Sequence, residues 1–421
     1  MNSSIRIVFI LTLAQLFLTI SYAADHDQVR RLWPTPPNQP RLEFVGVFTS
    51  EDDLEQPKEK ELLVTFLGED SGQQLTRPTS VATLDTNTVL VSESGRGNIK
   101  VFDFAKGETR ELFQSSSSLF EDPVDVTIDA EKNIFVVDQK NGFIAVFDNV
   151  LNPTHRIGLN VEFGKLEKLA IDPSKQTLYV SDSDLNKVFA FDPAGQLLFE
   201  FGDDENPDSR LRSPHGLAVD SEGRLYVADT GSSKIKIFDS AGNFIRVFKF
   251  KNNSGSSVLE KPWDLAFDSQ GLLHIIDQKM AALITCTQDG EVLYATMTSN
   301  RTNHSMGFNR PTDIHIDSKD RIIISDDMND RFCIWQILTK SYLAEHPITD
   351  KDIENLKEYI ATLKSEQAMR NKLTKTIGTQ RGAEKKNLEE GWNEPKRKRQ
   401  RVVCPKCQAQ YDLVFIGINI K

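Results

Sequence analysis

The stretch PHGLAVDSEGRLYVADTGSSKIKIFDSAG, residues 214–242, contains the pattern that determines the fold. It begins with Pro214 and a short apolar run that ends in Asp220, and a second apolar run ends in Asp229. Turns that contain glycine separate these runs, which is typical of short strands. With the next apolar run the stretch predicts four strands, at 216–219, 225–228, 234–238 and 244–248.

Two landmarks of this stretch recur six times along the chain. The first is the start of the apolar run, found at Pro78, Pro123, Leu166, Pro214, Pro262 and Pro311. The second is an acid that ends the next strand, 15 or 16 residues later, at Glu93, Asp138, Asp182, Asp229, Asp277 and Asp326. A four-stranded sheet that is apolar on both faces must bury both, and radial stacking of the copies achieves this. The sequence therefore predicts an all-β fold, a six-bladed β-propeller, in which the repeated acids are architectural.

We expect an N-terminal strand to close the ring. In each repeat the segment before the first landmark supplies the outer strand of the preceding blade, and the matching segment before Pro78 is Leu62–Leu67. This strand is predicted to complete the last blade beside Phe332–Ile337. The alternative is that Leu62–Leu67 belongs to a separate small N-terminal unit.

The repeats resemble the NHL-repeat family of six-bladed propellers, because residues 214–242 are close to that family's consensus. The resemblance covers about residues 60–340, and Leu32–Phe48 resembles the lead-in of exported bacterial members. It implies a periplasmic or extracellular protein with a protein partner, in an assembly role within an envelope complex. Some propellers of this type are lyases with a metal in the channel, which supplies the alternative of an enzyme.

The N-terminus has the pattern of a secretory signal peptide over residues 1–23. Arg6 precedes an apolar stretch from Ile7 to Ile20, and small residues allow a cut after Ala23. No later stretch is long and apolar enough to cross a membrane. The predicted organisation is a signal peptide at 1–23, a Pro-rich arm at 24–60, the propeller at 61–340, a helical segment at 341–375, and a polar linker, basic run and CxxC tail at 376–421.

Composition limits the partners. The 421 residues include 50 Lys and Arg against 61 Asp and Glu, a net charge of −11, which argues against nucleic acid as the main partner. Only 4 Cys are present, so a disulfide-stapled scaffold is excluded. Residues 341–421 contain 16 Lys and Arg against 11 Asp and Glu, so the tail is basic and the rest is acidic.

The tail contains three separate signals. Apolar residues at helical spacing, among them Ile353, Leu356 and Ile360, predict a helix over Asp350–Leu373, capped by Thr349 or Asp350. The basic run 395–401 is interpreted as a solvated tail, or as a contact for anionic lipid or an acidic partner. Cys404 and Cys407 form a CxxC, which could be a disulfide or plain thiols, half of a zinc site shared with another chain, or a redox pair.

Residues two positions after each first landmark are expected near the channel mouth. They are Ser80, Asp125, Lys168, Gly216, Asp264 and Asp313. The three carboxylates could bind a cation such as calcium through oxygen ligands. Alternatively, they accept hydrogen bonds from backbone N–H groups two residues on, as Asp does in turns, and Lys168 neutralises the ring.

Two histidines offer a second candidate site. His215 and His315 fall on the predicted innermost strands, and with a carboxylate they could hold zinc. Cys286 and Cys333 are predicted to be buried free thiols. The leading interpretation is an exported scaffold that binds a protein or ligand and has no cofactor. The alternative is a metal-dependent lyase or lactonase-like hydrolase with its site in the channel.

Overall fold

The structure is a computed structural model that describes residues 29–35, 38–54, 74–112, 120–251, 258–297 and 307–361, and the strands at 398–403 and 410–415. The chain divides into two compact units. One is Gln39–Thr339, which contains the propeller. The other combines the two ends of the chain, Met1–Asn38 and Lys340–Lys421. The propeller unit therefore begins inside the segment that the sequence analysis assigned to the arm.

The propeller has six four-stranded antiparallel blades, which confirms the predicted fold. Two strands precede the first repeat, β1 (Arg31–Trp33) in the unit of the termini and β2 (Leu42–Phe48) in the propeller unit. Blades 1 to 3 contain β3 (Pro78–Asp85), β4 (Thr88–Glu93), β5 (Asn98–Asp103) and β6 (Glu108–Glu111); β7 (Pro123–Ile128), β8 (Ile134–Asp138), β9 (Phe143–Phe147) and β10 (Pro153–Ile157); and β11 (Leu166–Ile171), β12 (Leu178–Asp182), β13 (Lys187–Phe191) and β14 (Leu197–Phe201).

The second half of the ring repeats this order. Blades 4 to 6 contain β15 (Pro214–Val219), β16 (Leu225–Asp229), β17 (Lys234–Phe238) and β18 (Phe244–Val247); β19 (Pro262–Phe267), β20 (Leu273–Asp277), β21 (Ala282–Cys286) and β22 (Val292–Met297); and β23 (Pro311–Ile316), β24 (Arg321–Asp326), β25 (Arg331–Ile337) and β2. Short 3-10 helices occur at Glu51–Asp53, Thr230–Ser232 and Asp327–Asn329.

Blade 6 is completed by an N-terminal strand, as predicted, but by a different one. β2 pairs antiparallel with β25, in register from Leu42 opposite Ile337 to Phe48 opposite Phe332. The position proposed for Leu62–Leu67 is thus taken by Leu42–Phe48, and Leu62–Leu67 lies outside the described residues. β2 contains no proline, so every backbone N–H of the strand is available to the ladder. Its aromatic side chains also pack on β25: Phe44 meets Trp335 edge to face with ring centroids 4.8 Å apart, and Phe48 stacks on Phe332 at 5.1 Å.

Blade-to-blade packing forms the core. Phe102 of blade 1 meets Phe332 of blade 6 edge to face, and Tyr226 of blade 4 meets Phe267 of blade 5 in the same way, each with ring centroids 4.9 Å apart. Similar apolar clusters fill the spaces between neighbouring blades around the described part of the ring. Each cluster joins two sheets, so no blade has a core of its own.

The acid that ends each second strand is architectural, as predicted. Asp182, for example, is fully buried and accepts hydrogen bonds from the backbone N–H groups of Gly164, Lys165 and Leu185. Asp277 does the same with Glu260, Lys261 and Met280. These carboxylates therefore tie together the two loops at one end of each blade.

Five of the six outer strands contain a β-bulge at the same register position. The extra residue lies between two paired positions, for example between Leu197 and Phe199 on β14. The five bulged residues are Val45, Thr154, Leu198, Ile245 and Leu293. All five are exposed. Blade 1 lacks the bulge, since Asp103 and Phe102 pair with the consecutive residues Glu108 and Thr109.

The unit of the termini contains β1, helix α1 (Lys340–Glu345) and helix α2 over residues 350–361. Thr349 is the N-cap of α2, because its hydroxyl accepts from the Asp352 N–H at 3.2 Å while its own N–H donates to the Asp352 carboxylate at 2.8 Å. This confirms the predicted cap and start of the helix; residues after 361 lie outside the described part. Arg30 donates to the carbonyl of Pro347 at 3.0 Å.

A two-stranded antiparallel hairpin, β26 (Lys398–Val403) and β27 (Gln410–Phe415), forms near the C-terminus. No sequence pattern predicted this hairpin. The signal peptide, Cys404 and Cys407 lie outside the described residues. Within the described ranges, no helix has the length and apolar character needed to span a bilayer.

Candidate functional site in the central channel

The channel is lined by the first strand of each blade. These six strands contact one another around the ring, so the residue two positions after each landmark points into a shared space. The structure brings four of the six predicted residues together there: Asp125, Lys168, Asp264 and Asp313. Each of the four is at most 5% exposed, so the cluster lies out of bulk water.

Lys168 is the centre of this cluster. Its Nζ lies 3.0 Å from Asp125 Oδ1 and 3.8 Å from Asp264 Oδ2, and it forms a close ion pair with Asp313 Oδ1. Lys168 belongs to blade 3 and Asp313 to blade 6, on the opposite side of the ring. The ammonium therefore joins four blades across the channel. We call these four side chains the channel cluster.

The second oxygen of each carboxylate connects neighbouring blades. Asp125 Oδ2 accepts from the Leu169 N–H at 2.8 Å, and Asp313 Oδ2 accepts from the Val81 N–H at 2.8 Å. Asp264 Oδ2 accepts from the Ile314 N–H at 3.2 Å. The expectation that these Asp side chains serve turns two residues on is thus wrong: they bond to the first strand of the next blade. Close packing of adjacent first strands makes that N–H the nearest donor.

The other two residues at this register position are Ser80 and Gly216, and neither is an acid. The Ser80 hydroxyl accepts from the Val126 N–H at 3.2 Å, so it connects blades 1 and 2 as the carboxylates do elsewhere. Gly216 has no side chain because blade 5 occupies the space. A Cβ on Gly216 would lie 2.4 Å from Asp264 Cα and 2.8 Å from the Trp263 carbonyl oxygen.

The charges of the channel cluster depend on one another. Burial disfavours the ammonium form of Lys168, but the carboxylates of Asp125, Asp313 and Asp264 outweigh it and raise the pKa of Lys168. Burial raises the pKa of Asp125 and raises that of Asp264 well above its usual range, against the attraction of Lys168. Lys168 is therefore a fixed cation, and Asp264 is the carboxyl that most readily holds a proton.

The two predicted channel histidines do not join this cluster. His215 Nδ1 lies 3.0 Å from the Ser213 carbonyl oxygen, its ring packs on Trp263 at 3.9 Å, and its Nε2 is 3.5 Å from Glu167 Oε1. Glu167 in turn accepts from Lys165 Nζ and from the Ser183 hydroxyl, each at 2.7 Å. Burial lowers the pKa of His215, so the imidazole is neutral near pH 7.

His315 lies on β23 beside blade 1. Its Nε2 is 2.8 Å from the Thr83 hydroxyl, and burial lowers its pKa. His215 and His315 have different partners on different blades, so the structure does not bring them together as two ligands of one metal. Across the described residues, no three His, Cys, Asp or Glu side chains form a group that could hold a metal ion.

The channel cluster does not fit a metal ion. Asp125 and Asp313 each use one oxygen for a backbone N–H and the other for Lys168. Asp264 accepts from Leu265 at 2.9 Å with one oxygen and from Ile314 with the other. The position that calcium would occupy among these carboxylates is taken by the ammonium of Lys168. One sequence signal points to this: a single lysine at the register position where three other blades have Asp.

Cys286 and Cys333 are free and buried, as predicted. Burial raises the pKa of each thiol to about 12, so neither is a thiolate near neutral pH. The residues that the sequence analysis missed are Glu167 and Trp263, which follow their landmarks by one position. Their side chains alternate with those of the channel cluster along the same strands.

The fold and channel define a six-bladed propeller, and sequence comparison assigns its repeat type. The NHL repeat family profile matches residues 211–238, within blade 4 and the loop before it. The chain is therefore a six-bladed β-propeller in which residues 211–238 match the NHL repeat. A stretch of 141 residues is 26% identical to protein brain tumor of Drosophila melanogaster; it covers 32% of this chain and 13% of that protein.

Comparison with solved structures finds similar chains at low identity. A protein of unknown function from Bacteroides thetaiotaomicron superposes with a TM-score of 0.51 at 16% identity, over 69% of this chain and 76% of its own. A gluconolactonase from Xanthomonas campestris gives a TM-score of 0.49 at 15% identity, over 70% and 98%. Virginiamycin B lyase from Staphylococcus aureus gives 0.46 at 13%, over 61% and 80%. These likenesses concern the fold alone.

Proposed function

We propose that this protein is a binding scaffold rather than a metal-dependent enzyme of the channel. The observation that carries the proposal is the Lys168 ammonium held by Asp125, Asp264 and Asp313. A metal-dependent lyase or lactonase needs a cation with an open coordination position. In this channel the carboxylates already hold a cation that belongs to the chain, and that cation has no position for a substrate.

The recognition face in this proposal is the end of the propeller at which the first strands begin. Leu185, in the loop after the second strand of blade 3, is 39% exposed, and Met328, in the equivalent loop of blade 6, is 55% exposed. Blades 3 and 6 are opposite one another, so a partner that covers the channel mouth would contact both. A contiguous apolar patch marks a protein contact, and in this proposal Leu185 and Met328 belong to such a patch.

Export belongs to the same proposal. The signal sequence at 1–23 supports secretion to the periplasm or the exterior, and an envelope complex would supply the partner. The test is N-terminal sequencing of the protein from its native host. A mature chain that begins at Ala24 supports export, and an intact N-terminus overturns it.

Metal analysis separates scaffold from enzyme. The full-length protein with Cys404→Ser and Cys407→Ser is purified without chelator and analysed for calcium and zinc. We expect no stoichiometric metal and an unfolding temperature that EDTA does not change. If the protein retains one equivalent of calcium or zinc, and Asp125→Asn loses it, the scaffold proposal is overturned in favour of the enzyme.

Position-specific crosslinking tests the recognition face. A photoreactive benzophenone residue is placed at position 185 or 328 and expressed in the native host. Val150, which is 68% exposed in the loop at the opposite end of blade 2, is the matched control position. The proposal expects one adduct of the same mass from 185 and 328 and none from 150. Equal adducts at all three positions, or none at 185 and 328, would contradict it.

A further inference from the structure

A second concave site lies on the circumference of the ring, away from the channel. It is a cavity of about 280 Å³ on the side of blade 2 that faces blade 1. Its floor is aromatic, formed by Phe120, Phe143 and Phe147. Its edge is formed by residues of the outer strand β10, among them Pro153 and Arg156. This volume is near the lower limit for sites that bind small molecules, about 300 Å³.

At one register position of the outer strand, blade 1 lacks an aromatic side chain that blade 3 has. On blade 3, Phe199 pairs with Ala190 and packs toward blade 4, where a Cβ on Gly242 would lie 3.0 Å from its ring. The residue of blade 1 at that register position is Arg110, opposite Val101. Blade 1 therefore has no aromatic ring at the position from which Phe199 packs toward the next blade.

The polar edge of the cavity has one sign of charge. The Arg156 guanidinium lies over the Phe143 ring, 4.4 Å from its centroid. Among the described residues, no carboxylate pairs with Arg156, and none lines the cavity. In a chain with a net charge of −11, a cavity whose only fixed charge is positive is selective for anions.

We propose that this cavity binds a small amphiphilic carboxylate, with its carboxylate on Arg156 and its alkyl or aryl body against Phe120, Phe143 and Phe147. Arginine binds carboxylates through a planar pair of N–H donors, and an aromatic floor stabilises an apolar body by excluding water. The ligand is a free acid of up to about ten carbons, since larger bodies exceed the cavity. This site is independent of the channel cluster and of the proposed recognition face.

The probe is decanoate, with decanol as its neutral analogue, each titrated by calorimetry below the micellar concentration into the full-length protein. Wild type is expected to bind decanoate at one site and decanol at least tenfold more weakly. Arg156→Gln should weaken decanoate about tenfold or more and leave decanol unchanged. Ala145→Phe, which fills the cavity from β9, should abolish both.

The matched control is Arg246→Gln. Arg246 is on the outer strand β18 and, like Arg156, lies over a phenylalanine ring, 5.8 Å from the Phe248 centroid. It does not line the cavity. This variant should bind decanoate as wild type does. The proposal is overturned if Arg156→Gln binds decanoate as tightly as wild type does. It is also overturned if Arg246→Gln weakens decanoate binding as much as Arg156→Gln does.

A membrane surface is the competing source of an apolar anion. Sedimentation with phosphatidylglycerol vesicles distinguishes it from a free acid. The proposal expects no sedimentation that depends on Arg156. Vesicle binding that Arg156→Gln removes, without calorimetric binding of decanoate to wild type, would assign the site to lipid surfaces and contradict the free acid.

Discussion

The ring is held together in two different ways, at its centre and at its closure. At the centre, the channel cluster joins four blades through one ammonium and three buried carboxylates. At the closure, β2 joins the two ends of the propeller through a backbone ladder and aromatic contacts with β25. The central connection depends on charge and proton binding, whereas the closing connection depends on hydrogen bonds and apolar area. The two regions should therefore respond to different perturbations.

The largest expected effect comes from removal of the closing strand. A chain that lacks residues 24–48 loses β2, including the buried side chains of Leu42, Phe44 and Phe48. Burial of three such side chains contributes about 5–8 kcal/mol, comparable to the whole stability of many domains. We expect loss of the cooperative thermal transition, measured by circular dichroism. A chain that lacks only 24–38 keeps β2 and should retain it. A cooperative transition in the chain that lacks residues 24–48 would show that closure does not need β2.

The next effect is loss of the central cation. Lys168→Met leaves three buried carboxylates without their partner, and the expected loss is about 3–5 kcal/mol in the free energy of urea unfolding. Lys165→Met is the control, because Lys165 also pairs with a carboxylate, Glu167, but is 44% exposed. An exposed pair contributes at most about 1 kcal/mol. Equal losses in the two variants would show that the channel cluster is no more important than a surface pair.

A smaller loss is expected from steric conflict at the same level of the channel. Gly216→Ala places a Cβ 2.4 Å from Asp264 Cα, and backbone atoms there cannot move aside as a flexible side chain would. The cost should be about 1–3 kcal/mol, as for other overpacked sites. Urea unfolding measures it. A variant as stable as wild type would show that blades 4 and 5 can separate without penalty.

The smallest effect concerns Asp264, and it depends on pH. Burial raises the pKa of Asp264, so the folded protein keeps a proton that the unfolded chain releases. The stability this contributes is present below the ordinary pKa, near 3.8, and is lost as pH rises through the folded pKa. Asp264→Asn stays neutral, so we expect it to be within about 1 kcal/mol of wild type at acidic pH and to gain relative stability as pH rises.

Urea unfolding of both proteins between pH 4 and pH 8 measures this difference. His215 and His315, whose pKa values are lowered by burial, contribute a slope of the opposite sign. That contribution is common to both proteins and cancels in the comparison. Parallel pH profiles for the two proteins would mean that Asp264 is ionised throughout.

The repeats made the fold predictable, because two landmarks in constant register define each blade independently of the others. The closing strand was harder to identify. Leu62–Leu67 is the more apolar segment, but the strand that pairs with β25 is Leu42–Phe48, and pairing depends on register and side-chain fit as well as apolarity. The four residues of the channel cluster were all identified from spacing. Which atom each carboxylate bonds could not be predicted, because those partners lie on the next blade, 44 residues away in the chain for Asp125 and 232 for Asp313.

The cavity on the side of blade 2, lined by Phe120, Phe143 and Phe147, also could not be predicted from the sequence. It results from a difference between blades, Arg110 where blade 3 has Phe199, and the outer strands are the least regular part of each repeat. A single copy of the repeat gives no indication of it. Alignment of the outer strands by their register shows a large aromatic ring at this position only on blades 3 and 5, as Phe199 and Tyr294.

The bulges on the outer strands affect how copies of this protein meet in a crowded solution. A flat strand at the edge of a sheet offers free N–H and C=O groups to another molecule and so promotes edge-to-edge polymerisation. A bulge interrupts that row and twists the strand. The outer strands of blades 2 to 5 each carry one, and three of the bulged residues are exposed aliphatic side chains: Leu198, Ile245 and Leu293. The circumference can thus display apolar groups and still resist growth into cross-β fibres.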